Sequence, residues 1–236
     1  MEASAFIAFI AGYGISVGTD KVSAVFPYIS DTGTTPPASC VFGLFLNMSA
    51  AFGVVTIYIR HRHLEGNNLD HRIHKLNDVT MFMGLLSCLG LMMVACFQWS
   101  VAGVPHLLGA VMVFLLGGIY CSCQSYLTHA CIGITTGKAL MMTRVVLSLV
   151  AVVGLVLTVL FTALANNELT AAGFNMTTFG EKLHWTSKEP GYKKHLTSVF
   201  SEWIMGFAFL VFFATYYGDF KKLDTKVHLK CKSSIL

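Results

Sequence analysis

Apolar residues in this chain fall in long blocks separated by short polar connections, unlike the scattered apolar positions of a soluble core. A helix needs ~20 mostly apolar residues, at ~1.5 Å rise each, to cross ~30 Å of hydrocarbon. Five blocks meet that length: 41–59, 79–97, 107–127, 145–165 and 197–217. A sixth, 3–17, is apolar but short. Only Met1 and Glu2 precede it, without the positive start of a secretory signal peptide, so it reads as an abbreviated first span. The pattern predicts an all-α, polytopic integral membrane protein. It is one six-transmembrane-helix bundle over 1–236, with a cytoplasmic tail over 218–236.

Composition agrees. Of 236 residues, 55% are hydrophobic and only 12% charged, about half the charged share of a soluble domain. Net charge is +4 with His neutral, too small an excess to indicate a nucleic-acid partner. The position of the charges says more. Arg60, Arg62, Arg72 and Lys75, then Lys138 and Arg144, then Lys221, Lys222, Lys226, Lys230 and Lys232 fall in alternate connections and the tail, eleven of sixteen basic residues. Basic residues near short loops stay cytoplasmic, so both termini are expected on that side. Asn175-Met176-Thr177 in the fifth connection is an N-glycosylation acceptor that suits the opposite, lumenal face, or is an unused triplet. Asn47-Met48-Ser49 has the same pattern inside a span, out of reach of the modifying enzyme.

Candidate chemistry is sparse. Cys121-Ser122-Cys123 lacks the spacing and His companions of a zinc site, and His61, His63, His71 and His74 read as part of a cationic loop facing anionic lipid; no metal or cofactor is expected. Cys131 and Cys231 are candidates for palmitoylation or inert thiols. Gly14 with Gly18, and the Ser49–Gly53 stretch, are small-residue clusters of the kind that let helices approach closely. Asp31-Thr32-Gly33 matches the triplet of aspartic proteases, but one copy in a short loop cannot supply two carboxylates sharing a proton.

Polar side chains in hydrocarbon need an explanation. Asp31, Asn47, Gln98, His106 and Glu202 all fall toward the lumenal side, and the proline-bearing first loop over 26–37 is placed to cover them as a lid. Arg144 and Asp219 fall at one cytoplasmic depth and form a candidate pair. These groups either satisfy one another and fix helix register, or make a lumenal pocket in which His106 and Glu202 sense acid or bind a head group. No catalytic constellation supports an enzyme.

The run Pro27-Tyr28-Ile29-Ser30-Asp31-Thr32-Gly33-Thr34-Thr35-Pro36-Pro37 resembles the signature of the damage-regulated autophagy modulator family, within the wider Frag1/DRAM/Sfk1 group. Phe97-Gln98, His106 with Gly109-Ala110, Tyr120, Gln124, Glu202-Trp203 and Asp219-Phe220 follow in the family's order. Glu181 to Trp185 with Gly191-Tyr192 is most similar to the second vertebrate branch. The resemblance implies a non-enzymatic lysosomal or endolysosomal membrane protein that promotes autophagy and linked survival or death responses, and it implies a longer stretch before the first span. Membrane lipids and autophagy or lysosomal membrane proteins are the partners expected. A lipid-binding or lipid-transporting protein using the lumenal polar pocket is the alternative, and a structural membrane organiser a third.

Overall fold

The computed structural model describes residues 1–67, 70–132, 137–174, 183–221 and 223. In chain order its elements are α1 (Glu2–Gly18), a single turn α2 (Ile29–Thr32), α3 (Ala38–Glu65), α4 (His71–Cys96), α5 (Gly103–Val111), a π-helical turn (Met112–Leu116), α6 (Gly117–Ala130), α7 (Lys138–Ala171), α8 (Tyr192–Ala214) and a short α9 (Tyr217–Phe220). No strand occurs among the described residues.

Five rods are long and apolar enough to cross a membrane: Ala38–Glu65, His71–Cys96, Gly103–Ala130, Lys138–Ala171 and Tyr192–Phe220. The sixth apolar helix, α1, has 17 residues, or ~25 Å. Large apolar side chains such as Leu44, Phe52, Leu149, Val156 and Val159 point outward. A surface of that kind is stable against lipid tails and would aggregate in water.

Helices outrun the predicted spans at their polar ends. α3 continues to Glu65 and carries Arg60 and His61, predicted as loop residues, into the packed bundle, where both are buried. The reason is local satisfaction: Asn77 Nδ2 of α4 donates to the His61 carbonyl at 3.0 Å, and Arg60 finds a carboxylate at Asp219. Asp219, expected in the tail that begins at 218, is 1% exposed within α9. α7, at 34 residues, is ~50 Å long and carries Thr162, Asn166 and Thr170 to the His106 end of the bundle.

Close approach is concentrated where α4 crosses α5. A Cβ on Gly109 would lie 2.8 Å from the Gly90 carbonyl oxygen, and one on Gly90 would lie 2.5 Å from Met112 Cβ. The π-turn follows at once, and Ser87 Oγ donates to its Val113 carbonyl at 3.2 Å. Such a turn inserts a residue and redirects the helix beyond it. Gly14 and Gly18 have nothing within 4 Å of an added Cβ, so that pair brings no helices together, whereas Gly53 faces Cys88 Sγ at 3.0 Å.

Candidate functional site

The first loop is bolted across the end of α8. Trp203 Nε1 donates to the Pro27 carbonyl at 2.9 Å, and the Ile29 N–H donates to Glu202 Oε2 at 3.1 Å. Tyr28 OH donates to Ser198 Oγ at 3.0 Å and lies 3.0 Å from Thr162 Oγ1; those two hydroxyls are 2.7 Å apart. Ser16 Oγ of α1 donates to the Thr32 carbonyl at 2.7 Å. Three separate helices therefore hold one turn of backbone over Glu202, and burial of Glu202 is compensated by a backbone donor that the apolar block cannot supply.

Two adjoining cavities lie beneath and beside this loop. The wider, of about 590 Å³, is a vestibule walled by Tyr28, Asp31, Trp99, Asn166, Trp185 and His195, among others. The narrower, of about 130 Å³, runs inside the bundle past Phe42, Leu46, Val113, Phe114, Phe209 and Tyr120, with Glu202 in its wall. Ser30, His106 and Ala110 line both. His106 is 5% exposed, its Nδ1 lies 2.7 Å from the Phe97 carbonyl oxygen, and its ring meets Trp99 edge-on at 5.9 Å. That carbonyl follows the last turn of α4, so the contact fixes the imidazole at the junction of the cavities. On the vestibule's far wall His195 stacks on Trp185 with centroids 4.3 Å apart.

Asp31 sits in the vestibule wall with no ion pair among the described residues. Burial pushes its carboxyl up to about 7, opposed by a backbone hydrogen bond from Tyr28. The Tyr28 phenol is also raised, chiefly by burial. Asp31, His106 and Glu202 thus line the two adjoining cavities. Asn47 does not join them: its Nδ2 donates to the Gly43 carbonyl of its own helix at 2.9 Å and lies 3.6 Å from Cys96 Sγ. Gln98 lines neither cavity; its carbonyl accepts from Val101 and Ala102 in the turn before α5. Asn175 and Cys231 lie outside the described residues, and Cys131 is fully buried.

At the opposite end Arg144 Nη2 donates to Asp219 Oδ2 at 2.7 Å, and Arg60 Nη1 donates to the same oxygen at 3.0 Å. Arg60 also donates to Gln124 Oε1 and Thr128 Oγ1, both at 3.1 Å, and Arg144 to Thr128 Oγ1 and Thr215 Oγ1, both at 2.9 Å. Both guanidinium groups lie over the Tyr216 ring, 5.4 and 4.7 Å from its centroid, and Tyr216 OH is 3.0 Å from Tyr120 OH. Sequence reasoning placed Arg144 and Asp219 together but missed Arg60, Thr128 and Tyr216. A basic residue closing an apolar block next to an aromatic-rich helix end is the only signal the chain offers for them. Among the described residues no three His, Cys, Asp or Glu side chains gather into a metal-holding group.

The Frag1/DRAM/Sfk1/Cwh43P N-terminal domain matches residues 3–223. The chain is 35% identical over 223 residues to DNA damage-regulated autophagy modulator protein 2 of Rattus norvegicus, covering 94% of this chain and 82% of that one. The Homo sapiens protein of the same name is 35% identical over 221 residues, 93% and 81% of the two chains. DNA damage-regulated autophagy modulator protein 1 of Homo sapiens is 30% identical over 230 residues, 97% and 91%. No solved structure matches the chain.

Proposed function

The chain belongs to the Frag1/DRAM/Sfk1/Cwh43P family, and from that premise we propose that it is a non-enzymatic multi-pass membrane modulator that promotes autophagy and lysosome-linked survival and death responses. The observation that carries this reading is identity of 30–36% along nearly the whole chain to relatives named as autophagy modulators. The proposed site of action is the lysosomal or endolysosomal membrane, with both termini cytoplasmic. The grouping of Arg60, Arg62, Arg72, Lys75, Lys138 and Arg144 toward one end of the bundle supports that orientation. Its basic loops would meet anionic lipid or other autophagy and lysosomal membrane proteins. Deleting the protein is expected to lower autophagic flux under starvation and genotoxic stress, and re-expression to restore it; unchanged flux would overturn the reading. Glycosidase treatment of the wild type and of Asn175→Gln tests the orientation independently, a mobility shift in the first alone being expected.

A second reading, that the protein binds or moves lipid, is supported by one observation. A vestibule with polar side chains in its wall shares Ser30, His106 and Ala110 with an apolar cavity, the polarity gradient of an amphiphile.

A further inference from the structure

We infer that the two adjoining cavities form one binding site for a single-chain amphiphile with a cationic amine head, its tail running down the bundle past Phe114 toward Tyr120 and its head held at Asp31. This inference rests on the lipid-handling reading above and names the ligand class for it.

The tail follows from depth and width. His106 at the neck and Tyr120 at the floor lie on one continuous rod, Gly103–Ala130, and fourteen residues of helix span ~21 Å. One leaflet contributes about half of the ~30 Å hydrocarbon, so the lined stretch is at least as deep as one leaflet's acyl chain. Its volume of about 130 Å³ leaves no room for a second chain beside the first. Ser87, by donating to the Val113 carbonyl of the π-turn, satisfies a polar group that would otherwise face the tail.

The head follows from charge. The vestibule offers the Asp31 carboxyl, the Asn166 amide and the Trp99 ring, and no Lys or Arg lines it among the described residues. The Glu202 carboxyl stands in the adjoining wall. Neither acid has an ion-pair partner among the described residues. A phosphate or carboxylate head would place its negative charge beside two carboxyl groups and oppose the ionisation of either. An ammonium supplies the missing counter-charge and is further attracted to the indole face.

The test uses the full chain in phosphatidylcholine vesicles with three photoreactive probes of equal chain length, a long-chain amine, alcohol and carboxylate. Cross-linked residues are mapped by mass spectrometry. The amine is expected to label the Ala110–Tyr120 stretch about tenfold more than the carboxylate, unlabelled amine to compete, and Asp31→Asn to bring amine labelling down to that of the alcohol. Ala110→Phe, which fills the neck, is expected to abolish labelling by all three. Equal labelling of the stretch by all three probes, or an amine preference unchanged in Asp31→Asn, overturns the amine assignment and leaves lipid binding standing. Absence of labelling of the stretch by every probe in the wild type overturns both, and does so without relying on any variant folding.

Discussion

Replacing Asp219 with Asn keeps the side chain's shape and removes the one carboxylate to which two fully buried arginines donate. Arg60 and Arg144 are both 0% exposed, and each donates to Asp219 Oδ2, at 3.0 and 2.7 Å. The variant leaves both cations in place with the neutral oxygens of Gln124, Thr128 and Thr215. Removing one partner of a buried ion pair costs ~3–5 kcal/mol. Counting instead two charge-assisted hydrogen bonds at ~1.5–3 kcal/mol each gives a similar range. For a chain of this length ~1 kcal/mol moves the melting midpoint by ~2–4 °C, so Asp219→Asn is expected to melt about 6–20 °C lower. The assay is thermal unfolding of the purified full chain in detergent, followed by tryptophan fluorescence. Adding Arg144→Met removes one orphaned charge, so the double variant should recover part of the loss rather than add to it. A drop of less than ~1 kcal/mol in Asp219→Asn, or strictly additive losses in the double variant, would refute the reasoning.

Three further outcomes are expected. Tyr28→Phe removes the phenol that bridges Ser198 and Thr162 and should cost ~1 kcal/mol, with faster hydrogen exchange over 26–34; unchanged exchange there would mean the loop is held without that bridge. Gly191→Ala places a Cβ 2.6 Å from the Ala165 carbonyl oxygen at φ +82°, so it should cost at least ~1–2 kcal/mol from the backbone conformation alone, and a melting point equal to wild type would count against it. Asp31 titrates at about 7 in the folded chain against ~3.9 unfolded. Between those values the folded state binds more protons, so stability is fully present below the lower value and falls as pH rises through the upper one. The wild type should therefore melt at a higher temperature near pH 5 than near pH 8, and Asp31→Asn should flatten that part of the profile, leaving only what Glu202, His106 and His195 contribute around the vestibule. Superimposable profiles would rule Asp31 out as the source.

The spans were legible because the bilayer imposes a length and a composition on any helix that crosses it, and both are written locally in the chain. Where polar groups end up is not local. Arg60 counted as a loop residue because a basic side chain at the end of an apolar block satisfies the positive-inside rule whether it meets water or a buried carboxylate. Its partner lies 159 positions away, and only packed helices bring the two together. Asn47 shows the opposite error. An amide in an apolar block suggested a place in the polar group, yet its side chain is taken up by the Gly43 carbonyl one turn back and by Cys96 Sγ of α4. The first loop was legible as a lid for Glu202, since a carboxyl in hydrocarbon demands a cover. That the donor would be the Ile29 N–H left no mark in residue identity, because every non-proline residue carries one.

The two polar ends differ in a way that separates architecture from binding. At the Asp219 end the described acid is shared by two guanidinium groups, each of whose other donors reaches an oxygen of Gln124, Thr128 or Thr215. Such a cluster fixes the register of α3, α6, α7 and α9 and has little left to offer a ligand. At the His106 end two acids lack counter-charges among the described residues, an imidazole is anchored through one nitrogen to a carbonyl, and open volume adjoins both acids. A fold with no use for Asp31 and Glu202 beyond helix packing would gain from replacing them with neutral residues, because a backbone N–H offsets only part of the cost of a carboxyl in a partly dry wall. Comparing the melting points of Asp31→Asn and Glu202→Gln with that of Asp219→Asn therefore distinguishes the two kinds of polar group. A gain or no change at the vestibule end beside a large loss at the other identifies the vestibule acids as retained for a ligand. Equal losses at both ends would make them structural.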